Sequence, residues 1–478
     1  MKKTYLYYTL FWCFGLILLD SCTQKEARNY SKGYPQIFPD YINVTIPSNI
    51  APLNFGMKEA TCMQVLFESA SGNALVVKGE NSIQIPQTKW ETLLKESLGR
   101  TIKVTVSAWT KKENQGTRYK TFTIAVSKDS INPWIAYRLI PPGYEGWRHM
   151  GIYERELSTF NVRTIIENKQ NNNGCVNCHC FANYSPQKIM FHARGKNGGT
   201  VIVNNEKAEK ISMEKIPPYQ GASYCFWHPS GKYIAFSSND TQQTFYGYSR
   251  DKIEVFDTKS DLMVYNVQEK KFVTDERFSD SIHNETFPAF SPDGKYLFFC
   301  TSLSAKLPME VEKLRYSIVR VPFNEDGTLG NTIDTIYSAS QKGGSALYPR
   351  ISPDGDFMMY TLADCGAFHI HHKEADLKMI NLKTGKEIST KKINSKDVES
   401  YHSWSSNSKW IIFSSKRVDT RYTRLFIVHW DGKKFGKPFL LPQKHPEDNT
   451  MLLFSYNLPE FINCPVELSK DRVANLFR

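Results

Sequence analysis

Short runs of alternating apolar and polar residues occur along most of the chain, and this period of two predicts strands rather than helices. The run 102–108 (IKVTVSA) shows the alternation most clearly, and 90–94 (WETLL) is expected to form one helical turn. Further strands are expected at 41–46, 62–68, 74–78, 101–109 and 118–126. This succession of short strands predicts a β-sandwich of the immunoglobulin or fibronectin type over residues 34–130.

A pattern of a tight turn followed by a strand recurs in the remainder of the chain. It stands at 291–299 as SPDGKYLFF, at 352–360 as SPDGDFMMY and at 228–236 as HPSGKYIAF. Weaker copies stand at 405–413 (SSNSKWIIF) and 185–191 (SPQKIMF). Proline presets φ for a turn, aspartate caps the backbone, and glycine takes the left-handed position before the strand begins. Repeated antiparallel units of this kind close into a β-propeller.

The spacing of these turns bears on the number of blades. The turns at Pro229, Pro292 and Pro353 recur at intervals of about 60 residues, longer than the ~40–45 residues of a compact blade, so the outer loops carry insertions. Segments 132–160 and 437–461 together supply strands for a sixth blade. The expected fold class is therefore all-β, with an N-terminal β-sandwich followed by a six-bladed propeller over residues 131–478.

Composition and charge narrow the classes of function. The chain has 478 residues, of which 41% are hydrophobic and 13% aromatic, and this composition excludes wholesale disorder. The formal net charge is +12, but Lys and Arg are scattered among acidic residues and form no basic stripe, so we expect no nucleic-acid partner. The sequence has neither a phosphate loop nor a dinucleotide fingerprint, and we therefore expect no nucleotide cofactor.

The N-terminus carries the signals of an exported lipoprotein. A short positive start precedes the apolar run 5–19, which has the length of a signal-peptide core, and LDSC at 19–22 resembles a bacterial lipobox. We expect a signal peptide over 1–21, acylation of Cys22 and a polar tether over 22–33. This predicts a lipid-anchored protein of the bacterial cell envelope, on the outer membrane and facing the periplasm.

Several segments together carry a resemblance to known proteins. They are 139–145 (LIPPGYE), 175–179 (CVNCH), 191–195 (FHARG) and 402–405 (HSWS). The turn repeats resemble those of TolB-family propellers. The wider pattern is similar to a group of propeller lipoproteins from Bacteroidetes-type bacteria, labelled cytochrome c-associated or biosynthesis proteins. The resemblance implies a TolB-like propeller and a haem group, and it defines no activity.

The sharpest chemical motif is CVNCH at 175–179, which fits the CxxCH motif for covalent attachment of haem c. Cys175 and Cys178 would form thioethers with the haem vinyl groups, and His179 would bind the iron as proximal ligand, within a loop at 168–180. Two alternatives remain open. One is a zinc site that adds Cys180, although ligation by consecutive residues is strained. The other is a disulfide between Cys175 and Cys178.

The sixth iron ligand and the position of the haem are less constrained. His192, on the strand after the haem loop, is the first candidate for the distal ligand, and an open iron is an alternative. Further candidates are Met190, His149, Met150, Met213 and His228. Aligning the turn repeats places His179 level with Glu285 and Glu399 at the start of the innermost strands. We therefore expect the haem at the mouth of the propeller channel, with Glu285, Glu399 and His402 as further channel-mouth residues.

A second cluster lies at 368–374 (FHIHHKE). Strand alternation would place His369 and His371 on one face, where His402 from the next blade could join them in a metal site. A run of histidines on the surface is the interpretation that we favour. The sequence has no Gly-x-Ser-x-Gly elbow, and a peptidase would need a catalytic domain for which the chain has no room.

These observations predict three candidate functions. The first is an envelope lipoprotein whose propeller carries one covalent haem c, for electron transfer or haem-based sensing with a redox or envelope protein partner. The second is a TolB-like scaffold without haem that binds a protein, peptide or glycan. The third is a metal-dependent propeller enzyme. We expect a role without catalysis.

Overall fold

The structure, a computed structural model, describes residues 26–142, 145–146, 149–195, 197–205, 207–211, 221–245 and 253–478. The predicted signal peptide and Cys22 lie outside the described residues. Within them, strands dominate, and no helix is both long and apolar enough to cross a membrane.

The second part of the chain folds into six four-stranded antiparallel sheets, which we call blades 1 to 6. Blade 1 contains Trp134–Ile140, Gly151–Glu156, Val162–Glu167 and, as its innermost strand, Ser455–Ile462. Blade 2 contains Val176–Ala182, Ser185–Ala193, Gly199–Asn204 and Lys207–Ile211, and blade 3 contains Ser223–Trp227, Tyr233–Phe245, Ile253–Asn266 and Lys271–Val273. Blade 4 contains His283–Phe290, Tyr296–Leu303, Ser317–Pro322 and Asp334–Tyr337. Blade 5 contains Ser345–Ile351, Phe357–Ala363, Asp376–Asn381 and Glu387–Ile388, and blade 6 contains Glu399–Trp404, Trp410–Ser415, Arg424–His429 and Phe439–Leu440.

The blades form a closed ring. The innermost strand of each blade contacts those of the next blades, and the last contact joins blade 2 to the innermost strand of blade 1. That strand, Ser455–Ile462, comes from the end of the chain and pairs with Trp134–Ile140, so one sheet combines both ends of the propeller. The predicted propeller fold is confirmed. A blade built from two distant segments is present, but its strand Val162–Glu167 lies outside the predicted segment 132–160, and Phe439–Leu440 of the segment 437–461 belongs to blade 6. Each innermost strand pairs on one side only, so the edges that face the axis are short and are enclosed by the ring of blades.

The N-terminal region, 26–130, forms one seven-stranded sheet. Its strands are Asn29–Tyr30, Thr45–Ile46, Ala60–Glu68, Ala74–Gly79, Thr101–Thr110, Thr117–Arg118 and Phe122–Val126. The sheet branches at Thr101–Thr110, because one half of this strand pairs with Phe122–Val126 and the other half pairs with Thr117–Arg118. The expected strands are present, but they belong to a single branched sheet, and the second sheet of a sandwich is not confirmed.

One helix, Gln87–Glu96, covers this sheet and is longer than the single turn predicted. It buries Trp90, whose Nε1 donates to the Ile50 carbonyl oxygen (2.9 Å). The same apolar core continues into blade 6 through Trp410 and Phe439, so the N-terminal region is fixed to the propeller by a shared core. The other helices are short, at Ala339–Lys342, Asp448–Met451 and Lys470–Asn475, with 3₁₀ turns at Asn168–Asn171, Glu276–Phe278, Val311–Lys313 and His369–His371.

The recurring turn joins the first and second strands of a blade, as predicted. In blade 4, Ser291 Oγ donates to Asp293 Oδ1 (2.6 Å) and accepts the Tyr296 backbone N–H (3.0 Å). Gly294 has a φ of 74°, in the left-handed region that favours glycine. In blade 3, His228 takes the place of the serine. The turn is therefore a small polar network that starts the second strand in a fixed register.

The copy of the turn assigned to 185–191 was wrong. Ser185 pairs with Ala182, and the chain reverses through Asn183 and Tyr184, which have φ values of 48° and 63°. A two-residue turn of left-handed residues is sufficient here, because it matches the twist of the paired strands. Ser185 therefore begins the second strand of blade 2 and does not occupy the serine position of the turn.

We predict that Gly294→Ala destabilises the protein more than Gly355→Ala. Both glycines have left-handed φ values, 74° and 76°, so alanine costs each about 1 kcal/mol in backbone strain. A Cβ at Gly294 would also overlap the His228 ring, whereas none of the described atoms lies within 4 Å of a Cβ at Gly355. Since His228 Nδ1 bonds Ser230 Oγ and Nε2 bonds the Gly294 oxygen, the ring cannot move freely. Urea unfolding should show an additional loss of about 1–2 kcal/mol for Gly294→Ala, and equal losses would contradict this account.

Candidate functional site

Each innermost strand contains a β-bulge with one residue in the left-handed conformation. The pairing register shifts at the same place in all six strands. The left-handed residues are Cys178, Tyr224, Phe287, Tyr348, Tyr401 and Leu458, with φ between 47° and 60°. None is glycine, so each pays a steric cost of about 1–2 kcal/mol. Strain of this kind persists where the surrounding structure compensates for it, and it often marks a functional site.

Four of these residues form an aromatic arc across the channel. The ring centroids of Tyr224 and Phe287 are 4.4 Å apart, those of Phe287 and Tyr348 are 4.4 Å apart, and those of Tyr348 and Tyr401 are 4.8 Å apart. Cys178 and Leu458 line the same space, and the cavity left among these side chains is only about 30 Å³. We call this set the axial ring, and the small size of the cavity that it leaves indicates that it blocks the channel.

Bulges also change the hydrogen bonding between blades. Cys225 Sγ in blade 3 donates to the carbonyl oxygen of Cys178 in blade 2 (3.1 Å), and Ser403 Oγ in blade 6 donates to that of Pro459 in blade 1 (2.8 Å). Trp404 Nε1 likewise donates to the Arg350 oxygen (3.1 Å) in blade 5. Side chains of one blade thus bond carbonyl groups of the neighbouring blade, and two of these carbonyls, those of Cys178 and Pro459, lie within a bulge that interrupts the ladder.

Between the axial ring and the turns lies a larger cavity of about 270 Å³, which we call the vestibule. Its wall is mostly aromatic or apolar and comes from all six blades. It includes Phe181, Tyr184, Phe226, Trp227, Phe290, Ile351, Trp404 and Phe461. Because the axial ring closes its inner end, the vestibule is a blind pocket that opens at the face with the turns.

Two charged side chains line the vestibule. The Arg350 guanidinium lies 5.1 Å from the ring centroid of Phe226 and 5.5 Å from that of Tyr348, which are cation–π distances. Glu460 Oε2 accepts the Phe181 backbone N–H (3.1 Å), and burial raises the pKa of Glu460 to about 7, against the opposing effect of Arg350. Glu460 therefore exchanges a proton near neutral pH.

At the opposite face of the propeller, a long hairpin of blade 3 reaches blade 5. Strands Tyr233–Phe245 and Ile253–Asn266 continue to pair well beyond the blade, and we call the extension (239–245 and 253–260) the arm. The arm carries Asp257, a fully buried carboxylate that accepts from Asn239 Nδ2 and Thr241 Oγ1, both at 2.7 Å. Burial raises the pKa of Asp257 to about 6.

One histidine fastens the arm to blade 5. His372 Nε2 contacts Glu254 Oε1 on the arm (3.1 Å), and Nδ1 contacts Glu374 Oε1 (3.4 Å). Burial lowers the pKa of His372, but its hydrogen bonds to Glu254 and Glu374 outweigh burial and raise that pKa to about 10. The imidazole is therefore charged at neutral pH and bridges two carboxylates, and we call this contact the arm latch.

The predicted haem segment lies within this architecture. Cys178 and His179 line the small cavity of the axial ring, and Cys175 directly precedes the strand Val176–Ala182. All three are buried, with 5%, 6% and 4% of Cys175, Cys178 and His179 exposed. His192 is turned to other partners, since its Nδ1 bonds Thr200 Oγ1 (3.1 Å).

A porphyrin does not fit this folded arrangement. Pockets for ligands of cofactor size have volumes of about 300–1,000 Å³, whereas the cavity beside Cys178 and His179 has about 30 Å³. One observation favours a ligand role for His179. Burial and Arg138 lower its pKa to about 3, against the opposing effect of the Leu458 backbone, and among the described residues neither ring nitrogen has a hydrogen-bond partner in good geometry within 3.5 Å. The haem assignment stays a sequence prediction, and we derive no step from it.

The alternatives for this segment also stay predictions. The eight cysteines in the described part of the chain are free thiols, which include Cys175, Cys178 and Cys180. Burial raises the pKa of both the Cys175 and the Cys178 thiol, so both are protonated at neutral pH. Within the described ranges, no group of three His, Cys, Asp or Glu side chains is placed to hold a metal ion.

The alignment of His179 with Glu285 and Glu399 was wrong by three residues. The bulges show that Val176 is level with Glu285 and Glu399, while His179 is level with His402. The error follows from the misplaced turn at Ser185. His179 and His402 do line the same cavity, and burial lowers the pKa of His402 to about 3 as well.

Glu285 and Glu399 have separate surroundings near the start of their strands. Burial, together with Asp280, raises the pKa of Glu285 to about 8, and its Oε1 accepts from Thr301 Oγ1 (3.3 Å). Glu399 Oε1 accepts from Arg417 Nη2 (2.7 Å) and Ser415 Oγ (2.8 Å), so its charge is compensated locally. Glu399 therefore stabilises blade 6, and neither glutamate lines the axial ring cavity.

The histidine cluster was also predicted incorrectly. His369 and His371 lie in a 3₁₀ turn, so strand alternation does not apply to them. His369 and His372 are buried, with ring centroids 5.8 Å apart, rather than on the surface. The cluster is a loop that receives the arm. The axial ring and the vestibule were missed by the sequence analysis.

Comparisons with solved structures find chains of low sequence identity and low TM-score. The β-propeller domain of the Trilobed protease from Pyrococcus furiosus is 12% identical, with a TM-score of 0.35 over 85% of this chain and 98% of that domain. Prolyl oligopeptidase B from Galerina marginata is 8% identical, with a TM-score of 0.37 over 79% of this chain and 49% of its own. A puromycin-hydrolysing peptidase of Mycobacterium tuberculosis is 11% identical, with a TM-score of 0.33 over 56% of this chain and 39% of its own.

This chain therefore spans less than half the length of these two peptidases. At such identities and TM-scores the comparisons carry no argument about function. No family model and no curated protein matches the chain.

We predict that His372→Gln releases the arm. Because the folded pKa of His372 is raised to about 10, its stabilising effect is complete below the ordinary value of about 6.5 and is lost as pH rises towards 10. Hydrogen–deuterium exchange should be about tenfold or more faster in the arm of the variant at neutral pH. In the wild type, arm protection corrected for intrinsic exchange should fall between pH 7 and pH 10.

The matched control is His283→Gln, since His283 pairs with Asp280 in a half-exposed contact (2.9 Å). It should leave exchange in the arm unchanged. If His372→Gln also leaves the arm protected, the latch does not hold it.

Proposed function

We propose that this protein is a binding propeller whose vestibule receives a segment of another polypeptide, which is the scaffold function among the three candidates. The observation that carries the proposal is the blind, aromatic cavity of about 270 Å³ at the open face of the propeller. Pockets that bind ligands combine apolar walls with a few placed polar groups, and the vestibule has this composition.

Three features support a peptide as the ligand. Aromatic side chains supply large contact areas at low entropic cost. Arg350 and Glu460 give the wall one positive group and one titrating acidic group, which suit a peptide with polar ends and apolar side chains. The vestibule is also wide enough for one or two side chains, but it is blocked by the axial ring, so an extended chain cannot pass through it.

The location of the protein remains a proposal from the sequence. The predicted signal peptide and the predicted lipid on Cys22 place the propeller at the cell envelope, with residues 34–130 between the anchor and the propeller. The shared core of the N-terminal region and blade 6 would hold the vestibule in a fixed orientation relative to the N-terminal region. The metalloenzyme hypothesis has no cluster among the described residues on which to rest.

We predict that Phe226→Leu weakens peptide binding and that Tyr30→Leu does not. Phe226 lines the vestibule and carries Arg350 on its ring, whereas Tyr30 is 68% exposed in the N-terminal region. Random peptides, displayed on phage in one library with a free N-terminus and in another with a free C-terminus, should be selected on the full-length protein, and the affinities of the selected peptides then measured for both variants. We expect a loss of about threefold to tenfold for Phe226→Leu.

Leucine preserves the apolar packing of Phe226, and thermal unfolding of both variants verifies folding. If no peptide is selected, or if both substitutions leave binding unchanged, the vestibule is not the binding site. Selection of glycans instead, on an array probed with the same protein, would also overturn the proposal of a peptide ligand.

The haem hypothesis, which predicts a covalently bound haem, can be tested separately. After expression in the envelope with the cytochrome c maturation machinery, we expect the purified protein to show no pyridine haemochrome, because the segment around Cys178 leaves no room for a porphyrin. A haemochrome that shifts on Cys178→Ser would contradict this expectation. It would show instead that residues 174–179 leave the strand arrangement when haem is attached.

A further inference from the structure

Arg350 stands out among the charged side chains of the vestibule. It lies two residues after the left-handed Tyr348 in blade 5, and the bulge directs it to the cavity wall. The rings of Phe226 and Tyr348 both contact its guanidinium, at 5.1 Å and 5.5 Å from their centroids. Its position is therefore fixed by packing before any ligand arrives.

Most of the donors of this guanidinium remain unused within the described part of the chain. Arginine has five N–H donors, and among the described residues the Arg350 side chain makes one hydrogen bond, from Nη1 to the Pro349 oxygen (3.0 Å). Glu460 lines the same cavity, but its Oε2 bonds the Phe181 N–H instead. No carboxylate in the described ranges forms an ion pair with Arg350 within 4.0 Å.

An arginine held in this way is suited to a carboxylate. Its planar fork of donors matches the two oxygens of a carboxylate, and a partly buried pair of this kind gains more than an exposed one. Phosphate groups are less favoured here, because Glu460 adds acidic character to the same wall and would oppose a dianion.

The shape of the cavity indicates which carboxylate is bound. A segment in the middle of a chain must enter and leave its site, whereas the axial ring closes the inner end of the vestibule. A chain terminus needs only one opening. The aromatic wall then receives the side chain of the last residue, while Arg350 meets the carboxylate beside it.

We propose that the vestibule binds the C-terminus of a partner polypeptide, with the terminal carboxylate paired to Arg350 and an apolar last side chain against Phe226 and Trp404. This inference rests on the proposed peptide-binding function and specifies its ligand. The capture of a terminal carboxylate makes the site selective for chain ends, since an internal segment lacks the group that pairs with Arg350.

The test uses two sets of twenty fluorescein-labelled hexapeptides. They share one Gly/Ser-rich sequence and differ in the last residue, and one set ends in a free carboxylate and the other in an amide. Fluorescence anisotropy with the full-length protein should show the tightest binding for last residues that are aromatic or large and aliphatic. Amidation should weaken these peptides by at least about tenfold.

Two variants locate the effect. Arg350→Gln should remove the preference for the free carboxylate, and Arg350→Lys should retain part of it, because lysine keeps the charge but not the fork. Arg100→Gln changes an exposed arginine of the N-terminal region and should leave the preference intact. Trp404 Nε1 donates to the backbone oxygen of Arg350, and this hydrogen bond is kept in both Arg350 variants because they change only the side chain.

The outcomes separate the two proposals. Equal affinity of acid and amide forms in the wild type, together with a loss on Phe226→Leu, would overturn the C-terminus proposal and leave peptide binding in place. Failure of all forty peptides to bind would overturn the C-terminus proposal, and the phage selection would then decide on peptide binding itself. A carboxylate preference that survives Arg350→Gln would assign it to another residue and overturn the role of Arg350.

Discussion

The left-handed residue in each innermost strand is the constraint on which the axis of this propeller depends. A bulge at this position releases backbone carbonyl groups from the ladder and turns one side chain towards the axis. Neighbouring blades then satisfy those carbonyls, as Cys225 does for Cys178 and Ser403 does for Pro459. At these two bulges the strain of a non-glycine residue is thus offset by a bond between blades, and the same geometry in all six innermost strands assembles the axial ring.

The axial ring separates the two ends of the channel into unlike environments. At the arm end, Asp257 is fully buried in a network of amide and hydroxyl donors. At the vestibule end, the wall is aromatic, and its acidic group, Glu460, has a pKa raised to about 7 by burial. A ligand in the vestibule therefore meets apolar surface and one fixed cation, while the polar network beyond the ring stays shielded from it.

The fold could be predicted from the sequence because its signals are local. Ser-Pro-Asp-Gly turns and alternating strands specify each blade with little help from the rest of the chain. The prediction of a turn at 185–191 was wrong because the serine and the proline at this place lie inside the strand Ser185–Ala193. The arm was not predicted, because its position depends on a contact with blade 5 that is distant in sequence.

The axial ring did have a local signal that went unrecognised. An aromatic residue stands four positions before the first turn residue in blades 3 to 6, as in Tyr348 before Ser352 and Tyr401 before Ser405. This spacing is regular because the bulge and the turn are fixed relative to each other. These residues block the channel only when the six blades close into a ring, and the spacing alone does not indicate that closure. The orientation of Arg350 depends on Phe226 in another blade and could not be predicted either.

Closure of the propeller and completion of the vestibule are the same event. The last strand, Ser455–Ile462, supplies Leu458 to the axial ring and Glu460 to the vestibule. It bonds blade 2 through Glu460 and the Phe181 N–H, and it bonds blade 6 through Pro459 and Ser403. A chain in which this strand has not docked has an open ring, an unpaired edge on Trp134–Ile140 and a vestibule without one wall. Ligand binding therefore favours the closed ring, since a ligand that binds only the completed site stabilises the docked strand by mass action.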